Sequence, residues 1–335
     1  MKVIIEGKPS APAPQVKTVC IDEDSAGQRV DNFLMRHLKG VPKTHIYRMI
    51  RGGEVRVNKG RVSADTRLNE GDLVRVPPVR ISERVAEKAQ AMVQGAARGV
   101  PARDFTVLLE DEHLLVINKP AGLVVHPAPG NWSGTLMNGL LGHDPKAFDL
   151  PRAGIVHRLD KDTSGLMVVA RSRTVMDALV RAIAAREVKR QYLAIGQGSW
   201  TGAVKCGVDA AIGRDPLNRL RMAAVDLNIH PGKPARTDFE MLSNGAQACL
   251  VHCTLHTGRT HQIRVHMAQL KHPLLGDALY GGSMGLGISR QALHAYRLAF
   301  EHPITRQPLS FVAELPADFS MVLNPLGLKY NQGIR

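Results

Sequence analysis

The sequence predicts an α+β protein made of two domains. With 335 residues, the chain is long enough for more than one domain. Its first 80 residues contain two short helical patterns followed by a hairpin pattern, and from Phe105 onward strand patterns alternate with helical ones. We find no internal repeat with a period of about 20–50 residues, which argues against a solenoid or a propeller.

The first domain is predicted to follow a short tail. Residues 1–18 form this tail, because the chain there is rich in Pro, Lys, Ser and Ala and shows little apolar periodicity. Residues 19–80 form the domain, with two amphipathic helices ended by glycines and a small hairpin after them. The helical stripes consist of Val30, Phe33, Leu34 and Leu38 in the first helix and of Ile46, Met49 and Ile50 in the second.

The second domain is predicted to lie beyond a connector. Residues 81–103 resemble a short helix followed by a loose joint, and we interpret them as a semi-rigid linker. Residues 104–326 form the larger domain and residues 327–335 a C-terminal tail. Thr174 and Asp177 have the spacing of a capping pair before a helix. The strands predicted most clearly are 106–109, 114–118, 189–195, 239–242 and 249–255.

The charge balance favours a polyanionic partner. The formal net charge is +14, and residues 29–80 hold 12 Lys and Arg against 5 Asp and Glu, which is half of that excess. Nucleic acid suits this distribution better than an anionic membrane, because no run of about 18 apolar residues is present. The N-terminus lacks the pattern of a signal peptide, and four cysteines in so long a chain predict reduced thiols in the cytoplasm.

The stretch from His157 to Gly165 is the strongest candidate for chemistry. Apolar residues 154–156 before it and 166–170 after it predict two consecutive strands joined by a polar turn. Asp160 then lies at a strand end, where a rigid scaffold holds it while it stays open to a cleft. An Asp-x-Asp turn after a strand is also common for purely structural reasons, so the residues alone leave both interpretations open.

Two segments carry a resemblance to known families. His157–Gly165 resembles the signature of the pseudouridine synthases that modify large-subunit ribosomal RNA, and residues 105–326 are similar to their catalytic domain. The basic module of residues 19–80 resembles the S4 RNA-binding domain, notably at Arg29–Asp31 and Ile50–Asn58. The resemblance implies a mixed, mainly antiparallel β-sheet in the catalytic domain and the isomerisation of specific uridines of 23S rRNA.

The resemblance also implies roles for three residues. Asp160 would be the catalytic carboxylate, acting on a uridine that has been flipped out of the RNA. Tyr192 lies in the family's second motif and would stack on that base, while Arg264 lies in the third and would pair with the aspartate. A buried reactive carboxylate needs such a cation to stay ionised. We expect Thr260 to cap the helix that carries Arg264.

Further basic residues are predicted to bind RNA. They are Arg158 and Arg259 near the catalytic residues, and Lys43, Arg48, Arg51 and Arg56 in the first domain. Asn118–Gly122 matches the family's first motif, which we interpret as a structural turn beside the active site. Asp160 could attack C1′ of the ribose, attack C6 of the ring or abstract a ribose proton, and the sequence leaves these three routes open.

A metal site and two other functions are alternatives to this prediction. Two cysteines and four histidines crowd into residues 249–266, but strand alternation places Cys249 and Cys253 together in the core and His252 on the opposite face. We therefore expect no metal and no cofactor, and a monomer. The main alternative is a non-catalytic, ribosome-associated RNA-binding protein on the same scaffold. A metal-dependent nuclease using Asp160 and Asp162 is a second.

Overall fold

The computed structural model describes residues 16–38, 41, 43–79, 105–127, 131, 133–218, 220–284 and 287–331. The chain divides into two compact units, residues 1–94 and residues 95–335. The predicted connector, residues 81–103, and most of the predicted N-terminal tail lie outside the described residues. Within the described ranges, no helix is both long enough and apolar enough to cross a membrane.

The first unit combines two helices with a small antiparallel sheet. Its elements are β1 (Lys17–Cys20), α1 (Val30–His37), α2 (Lys43–Arg51), β2 (Arg56–Val57), β3 (Gly60–Arg61) and β4 (Leu73–Val76). The strand order is β1-β4-β2-β3. Strand β1 includes Lys17 and Thr18, inside the predicted tail, because pairing with β4 supplies partners for their backbone groups.

One apolar core holds this unit together. The two predicted helical stripes both contribute to it, with Phe33 and Ile46 among the fully buried side chains. Val55, Leu68 and Val74 from the hairpin region complete the same core. Periodicity therefore predicts both helices and their inward faces correctly, since each buries its apolar side against the sheet residues.

The second unit is built on one large sheet. Its strands are β5 (Thr106–Glu110), β6 (Leu114–Lys119), β7 (Ser164–Ala170), β8 (Lys189–Gln197), β9 (Lys205–Asp209), β13 (Arg236–Asn244), β14 (Ala248–Leu255), β15 (Leu293–Glu301) and β16 (Pro308–Val312). A separate three-stranded sheet contains β10 (Ile212–Arg214), β11 (Met222–Ala224) and β12 (Gly232–Lys233). The helices are α3 (Leu136–His143), α4 (Arg173–Ala184), α5 (Gln262–Gln269) and α6 (Ala317–Met321).

The order across the large sheet is β5-β6-β7-β15-β8-β14-β13-β9, with β16 also paired to β15. Among the described strands of this sheet, β7 and β15 form the one parallel pair and the others are antiparallel. The prediction of a mixed, mainly antiparallel sheet is confirmed. The parallel pair lies in the middle of the sheet, and β7 is the strand that follows the Asp160 loop.

Apolar side chains cover both faces of this sheet. One face holds Tyr192, Val251 and Cys253 in the largest core cluster. On the other face, α4 packs over β6 and β7, and residues of α6 pack over β8 and β14. Leu328 is buried in the latter cluster, so the predicted tail 327–335 begins with a residue that completes the core.

Three local predictions were wrong. Residues 154–156 do not form a strand, because the left-handed backbone at residues 152–154 turns the chain so that it meets β7 only through Ile155 and Val169. Helix α4 is capped by Ser172, whose side chain accepts from Val175 N–H, instead of by Thr174. Helix α5 begins at Gln262 after a left-handed His261, so Thr260 is not its cap.

Gly165 explains why the parallel pair can form next to the Asp160 loop. Its φ is +119°, and a Cβ atom there would lie 2.3 Å from the carbonyl oxygen of Ala295 on β15. The two backbones approach so closely that no side chain fits between them. The residue therefore joins β7 to β15 at the place where the loop enters the sheet.

We expect Gly165→Ala to lower the free energy of unfolding by about 3 kcal/mol, because it adds a clash to a backbone conformation that L residues avoid. Gly327→Ala is the matched control, since Gly327 also has a positive φ but has nothing within 4 Å of its Cβ direction. The control should lose about 1 kcal/mol. Equal losses in urea unfolding of the two variants would contradict the proposed close contact.

Candidate active site

Asp160 lies in the loop that leads from Ile155 to β7. Leu159 beside it is buried and anchors the loop, whereas Arg158 is exposed. The carboxylate side chain of Asp160 is 15% exposed, so it is largely removed from water but still reachable. This location matches the predicted one in its openness, although an irregular loop instead of a strand leads up to it.

Two buried cations hold this loop through its backbone. The ammonium group of Lys119 donates to the carbonyl oxygens of Lys161 at 2.9 Å, Pro120 at 2.8 Å and Leu123 at 2.9 Å. The motif around Lys119 thus has the structural role that the sequence predicts, fastening its own turn to the Asp160 loop. Burial lowers the pKa of Lys119 to about 7, against the opposing charges of Asp162 and Asp160.

Arg290 is the second anchor, and no sequence pattern predicts it. Its Nη1 donates to the carbonyl oxygen of Asp162 at 2.9 Å, while its Nε and Nη2 donate to the two carboxylate oxygens of Asp318 at 2.6 and 2.9 Å. Gln291 next to it donates to the Thr163 hydroxyl at 3.2 Å. The loop is therefore fixed on both sides of its turn by residues that are distant in sequence.

Arg264 reaches Asp160 from helix α5. Its Nη1 donates to Oδ2 of Asp160 at 3.3 Å, while Nε and Nη2 donate to Asp277 at 2.6 and 2.8 Å. Burial opposes the charged form, but the hydrogen bonds to Asp277 and the charge of Asp160 raise the pKa of Arg264. Asp277 was not predicted, because a single Asp before a Gly-rich turn carries no distinctive pattern.

An aromatic residue and a histidine complete this side of the site. The Arg264 guanidinium carbon lies 4.9 Å from the centroid of the Tyr280 ring, a cation–π contact. The Tyr280 oxygen accepts from Met222 N–H at 3.0 Å and lies 2.8 Å from Nδ1 of His261. Its proton can therefore go to Nδ1, which leaves Nε2–H of His261 facing Asp160 at 4.0 Å.

Tyr192 lies on β8 on the face of the sheet that carries the largest core cluster. Its side chain is buried, and burial, with the nearby charge of Asp160, raises its pKa to about 12. The phenol is therefore uncharged at neutral pH.

The remaining predicted residues divide between the two units. Arg158 is exposed, and its charge contributes to the lowered pKa of His126 and of His261, which places it near the Asp160 site. Arg259 donates through Nε to the carbonyl oxygen of Pro234 at 3.0 Å. Lys43, Arg48, Arg51 and Arg56 belong to the first unit, on α2 and β2.

The cysteines and histidines of residues 249–266 do not converge on one site in the structure. Cys249 and Cys253 are fully buried in the core, and the His252 ring packs on Tyr296 instead. His266 lies 2.9 Å from the Thr237 hydroxyl. Among the described residues, no group of three or more His, Cys, Asp or Glu side chains is arranged to hold a metal ion.

We expect Asp277→Asn to lower the free energy of unfolding by about 3 kcal/mol, because it removes the charged partner of a buried guanidinium. Asp177→Asn is the control, since the Arg173–Asp177 pair is a more exposed i,i+4 pair at 2.8 Å. The control should change stability by less than about 0.5 kcal/mol. The measurement is denaturant unfolding. Equal stability of the two variants would contradict a stabilising role for the buried Arg264–Asp277 pair.

Comparison with protein families supports both units. A model described as RNA pseudouridylate synthase matches residues 113–269, and a model of the S4 domain matches residues 28–74. These ranges contain Asp160, Tyr192 and Arg264 in the first match and Arg48, Arg51 and Arg56 in the second.

Named relatives match most of the chain. Ribosomal large subunit pseudouridine synthase D of Neisseria meningitidis serogroup A is 42% identical over 316 residues, which cover 91% of this chain and 80% of the relative. Ribosomal large subunit pseudouridine synthase C of Escherichia coli K12 is 40% identical over 322 residues, which cover 93% and 97%. The sequence resemblance, including Gly40–Lys43, led us to expect synthase C as the nearest relative, but the two identities do not separate synthase C from synthase D.

A solved structure shares the same fold. Human RNA Pseudouridylate Synthase Domain Containing 4 superposes with a TM-score of 0.52 at 28% identity, covering 72% of this chain and 98% of the human one. The identity with the bacterial relatives extends over nearly the whole chain and includes both units. This chain therefore belongs to the RNA pseudouridylate synthase family.

Proposed function

We propose that this protein converts specific uridines of 23S rRNA into pseudouridine, with Asp160 as the catalytic carboxylate. The observation that carries the proposal is the hydrogen bond between Asp160 and Arg264, and Asp160 is near enough to the buried Tyr192 for its charge to contribute to the raised pKa of the phenol, which burial mainly causes. Relatives named as large-subunit pseudouridine synthases support the substrate, because their similarity spans nearly all of this chain.

The site suits a reaction that needs an ionised carboxylate in a partly dry environment. The Asp160 side chain is 15% exposed, and the guanidinium of Arg264 donates to it. The Oδ2 atom of Asp160 accepts this bond at 3.3 Å, while no hydrogen bond among the described residues involves Oδ1. One carboxylate oxygen is therefore available to react with the ribose or the base.

Tyr192 is the residue that would receive the flipped base. Taking a base out of the RNA stack costs a few kcal/mol, and stacking on an aromatic ring recovers part of that cost. Tyr192 is rigid on a central strand, and burial keeps its phenol uncharged at neutral pH. Arg158 is exposed and lies two residues before Asp160 in sequence, and it would contact the flanking RNA or fill the space that the base leaves.

The reaction balances without a cofactor. The bond between C1′ of ribose and N1 of uracil breaks, the bond between C1′ and C5 forms, and the hydrogen on C5 leaves to water as a proton while N1 gains one. No electron acceptor and no phosphate donor is needed. We also propose that the enzyme works as a monomer in the cytoplasm, with its cysteines, Cys20, Cys206, Cys249 and Cys253, as free thiols.

The first unit would supply RNA affinity. Arg48 and Arg51 are exposed on α2, and no ion pair to either is found among the described residues. Arg29, in contrast, is neutralised by Asp31 at 2.8 Å. Unpaired surface arginines on one helix fit contact with backbone phosphates, which gives affinity without sequence selection.

We expect Asp160→Asn to abolish tritium release from 23S rRNA labelled at uridine C5 while RNA binding stays nearly intact, because the amide cannot act as a carboxylate. Asp162→Asn is the matched control, two residues along the same loop, and should keep activity within about tenfold. EDTA should leave the wild type unchanged.

Wild-type protein that binds rRNA but releases no tritium would contradict the proposed function and favour a non-catalytic RNA-binding protein. RNA cleavage that EDTA stops would favour a nuclease.

We expect the double variant Arg48→Gln with Arg51→Gln to bind rRNA more weakly and to reduce the slope of log K against log salt by about 1.4, because two phosphate contacts release fewer counterions. Arg181→Gln with Arg186→Gln removes the same charge from exposed positions on and just after α4 and is the control. The measurement is a binding titration at several salt concentrations. If the two double variants change the affinity and the salt slope equally, α2 is not the RNA-binding surface.

A further inference from the structure

Arg190 is a buried arginine that forms no ion pair with any residue that the structure describes. It lies on β8 and is 5% exposed, and its Nε has no hydrogen-bond partner among the described residues. Burial lowers the pKa of Arg190, and Tyr192 is the one group that opposes this effect. Arg264 and Arg290 are buried to a similar degree, yet each forms a bidentate pair with an aspartate.

The surroundings of Arg190 are neutral or polar instead of acidic. His157 lies close enough for the charge of Arg190 to contribute to its pKa, which burial lowers to about 3, so the ring is uncharged at neutral pH. Its Nε2 accepts from Val168 N–H at 3.1 Å, and its Nδ1 has no partner among the described residues. Two unpartnered donors, Nδ1–H of His157 and Nε–H of Arg190, thus belong to the same neighbourhood.

Gly258 provides the room for this guanidinium. A Cβ atom at Gly258 would lie 2.8 Å from Nη1 of Arg190, so the arginine occupies the space of the missing side chain. Gly258 belongs to the loop between β14 and α5, which also carries Arg259 and His261. The buried cation is therefore placed directly under the loop that leads to Arg264.

A cation in such a place has a chemical consequence. Removing a guanidinium from water without a partner is unfavourable, and a ligand that brought the missing partner would offset this cost. Arginine presents a planar set of donors that matches two oxygens of a carboxylate or a phosphate. Since no carboxylate of the described residues pairs with Arg190, the complementary group is expected to arrive with the substrate.

We propose that Arg190 forms an anion site that binds a phosphodiester group of the RNA next to the uridine held at Tyr192 and Asp160. This inference rests on the proposed function and adds a second substrate contact to the same site. Arg190 and Tyr192 share one face of β8 and are two residues apart, about 7 Å along the strand. A single nucleotide spans that distance from its base to its phosphate.

The test compares Arg190→Gln with Lys189→Gln. Lys189 precedes Arg190 on the same strand but is exposed, so its loss removes the same charge from outside the site. Each change is placed in the full-length Asp160→Asn background, and rRNA binding is titrated at several salt concentrations. We expect Arg190→Gln to weaken binding about tenfold or more and to reduce the salt slope by about 0.7, the value for one phosphate. Lys189→Gln should change both quantities much less.

Stability separates this role from a structural one. Because no described residue forms an ion pair or a side-chain hydrogen bond with Arg190, Arg190→Gln should keep the thermal midpoint of the wild type or raise it. Gly258→Ala is the second variant, since its methyl group displaces the guanidinium without removing it. It should weaken binding to a similar degree, and adding it to Arg190→Gln should cause no further loss.

The outcomes are distinguishable from failure of the proposed function. If the unaltered enzyme releases no tritium from labelled rRNA, the proposed function fails whatever Arg190 does. If it does release tritium, wild-type affinity and salt slope in Arg190→Gln and in Gly258→Ala overturn the anion site. Weaker binding with an unchanged salt slope overturns it too, because the contact is then with an uncharged group such as a uracil carbonyl.

Discussion

The geometry of the candidate active site depends on one buried guanidinium that donates hydrogen bonds to two different aspartates. Arg264 gives two short hydrogen bonds to Asp277, which is almost completely buried, and one longer bond to Asp160. Asp277 fixes the orientation of the guanidinium, and the remaining nitrogen donates to Oδ2 of Asp160. Asp160 is thereby oriented by one hydrogen bond, while Asp277 takes the two shorter ones.

The loop that carries Asp160 is held through its backbone carbonyl groups. The Asp160 carboxylate takes no part in these anchoring contacts. Lys119 binds the carbonyl oxygen of Lys161, and Arg290 binds that of Asp162, so the two anchors act on consecutive peptide units. Gly165 then joins the loop to the parallel strand pair with no side chain between the backbones. The contacts that hold the loop rigid are thus made by backbone groups, and none of them uses the carboxylate of Asp160.

Sequence reasoning predicted those residues of the candidate site that lie within continuous motifs. Asp160, Tyr192 and Arg264 each stand in a short string with a recognisable pattern, and apolar periodicity predicted most strands and both helices of the first unit. It missed Asp277 and Arg290, because their importance comes from contacts across the fold that no local pattern encodes. It also failed to place the ends of strands and helices next to residues with a left-handed backbone, such as Gly154 and His261. Such residues interrupt a strand or helix without changing the apolar periodicity around them.

The buried arginines Arg190, Arg264 and Arg290 differ in whether an aspartate of the same chain neutralises them. Arg264 and Arg290 are each completed by an aspartate of the same chain, and both position other groups. Arg190 lacks such an aspartate among the described residues, although a carboxylate at a neighbouring position would remove the cost of its burial. A paired Arg190 would be more stable and would no longer attract an anion. In a chain with a net charge of +14 whose substrate carries one negative charge per nucleotide, the missing counter-charge is best supplied by that substrate.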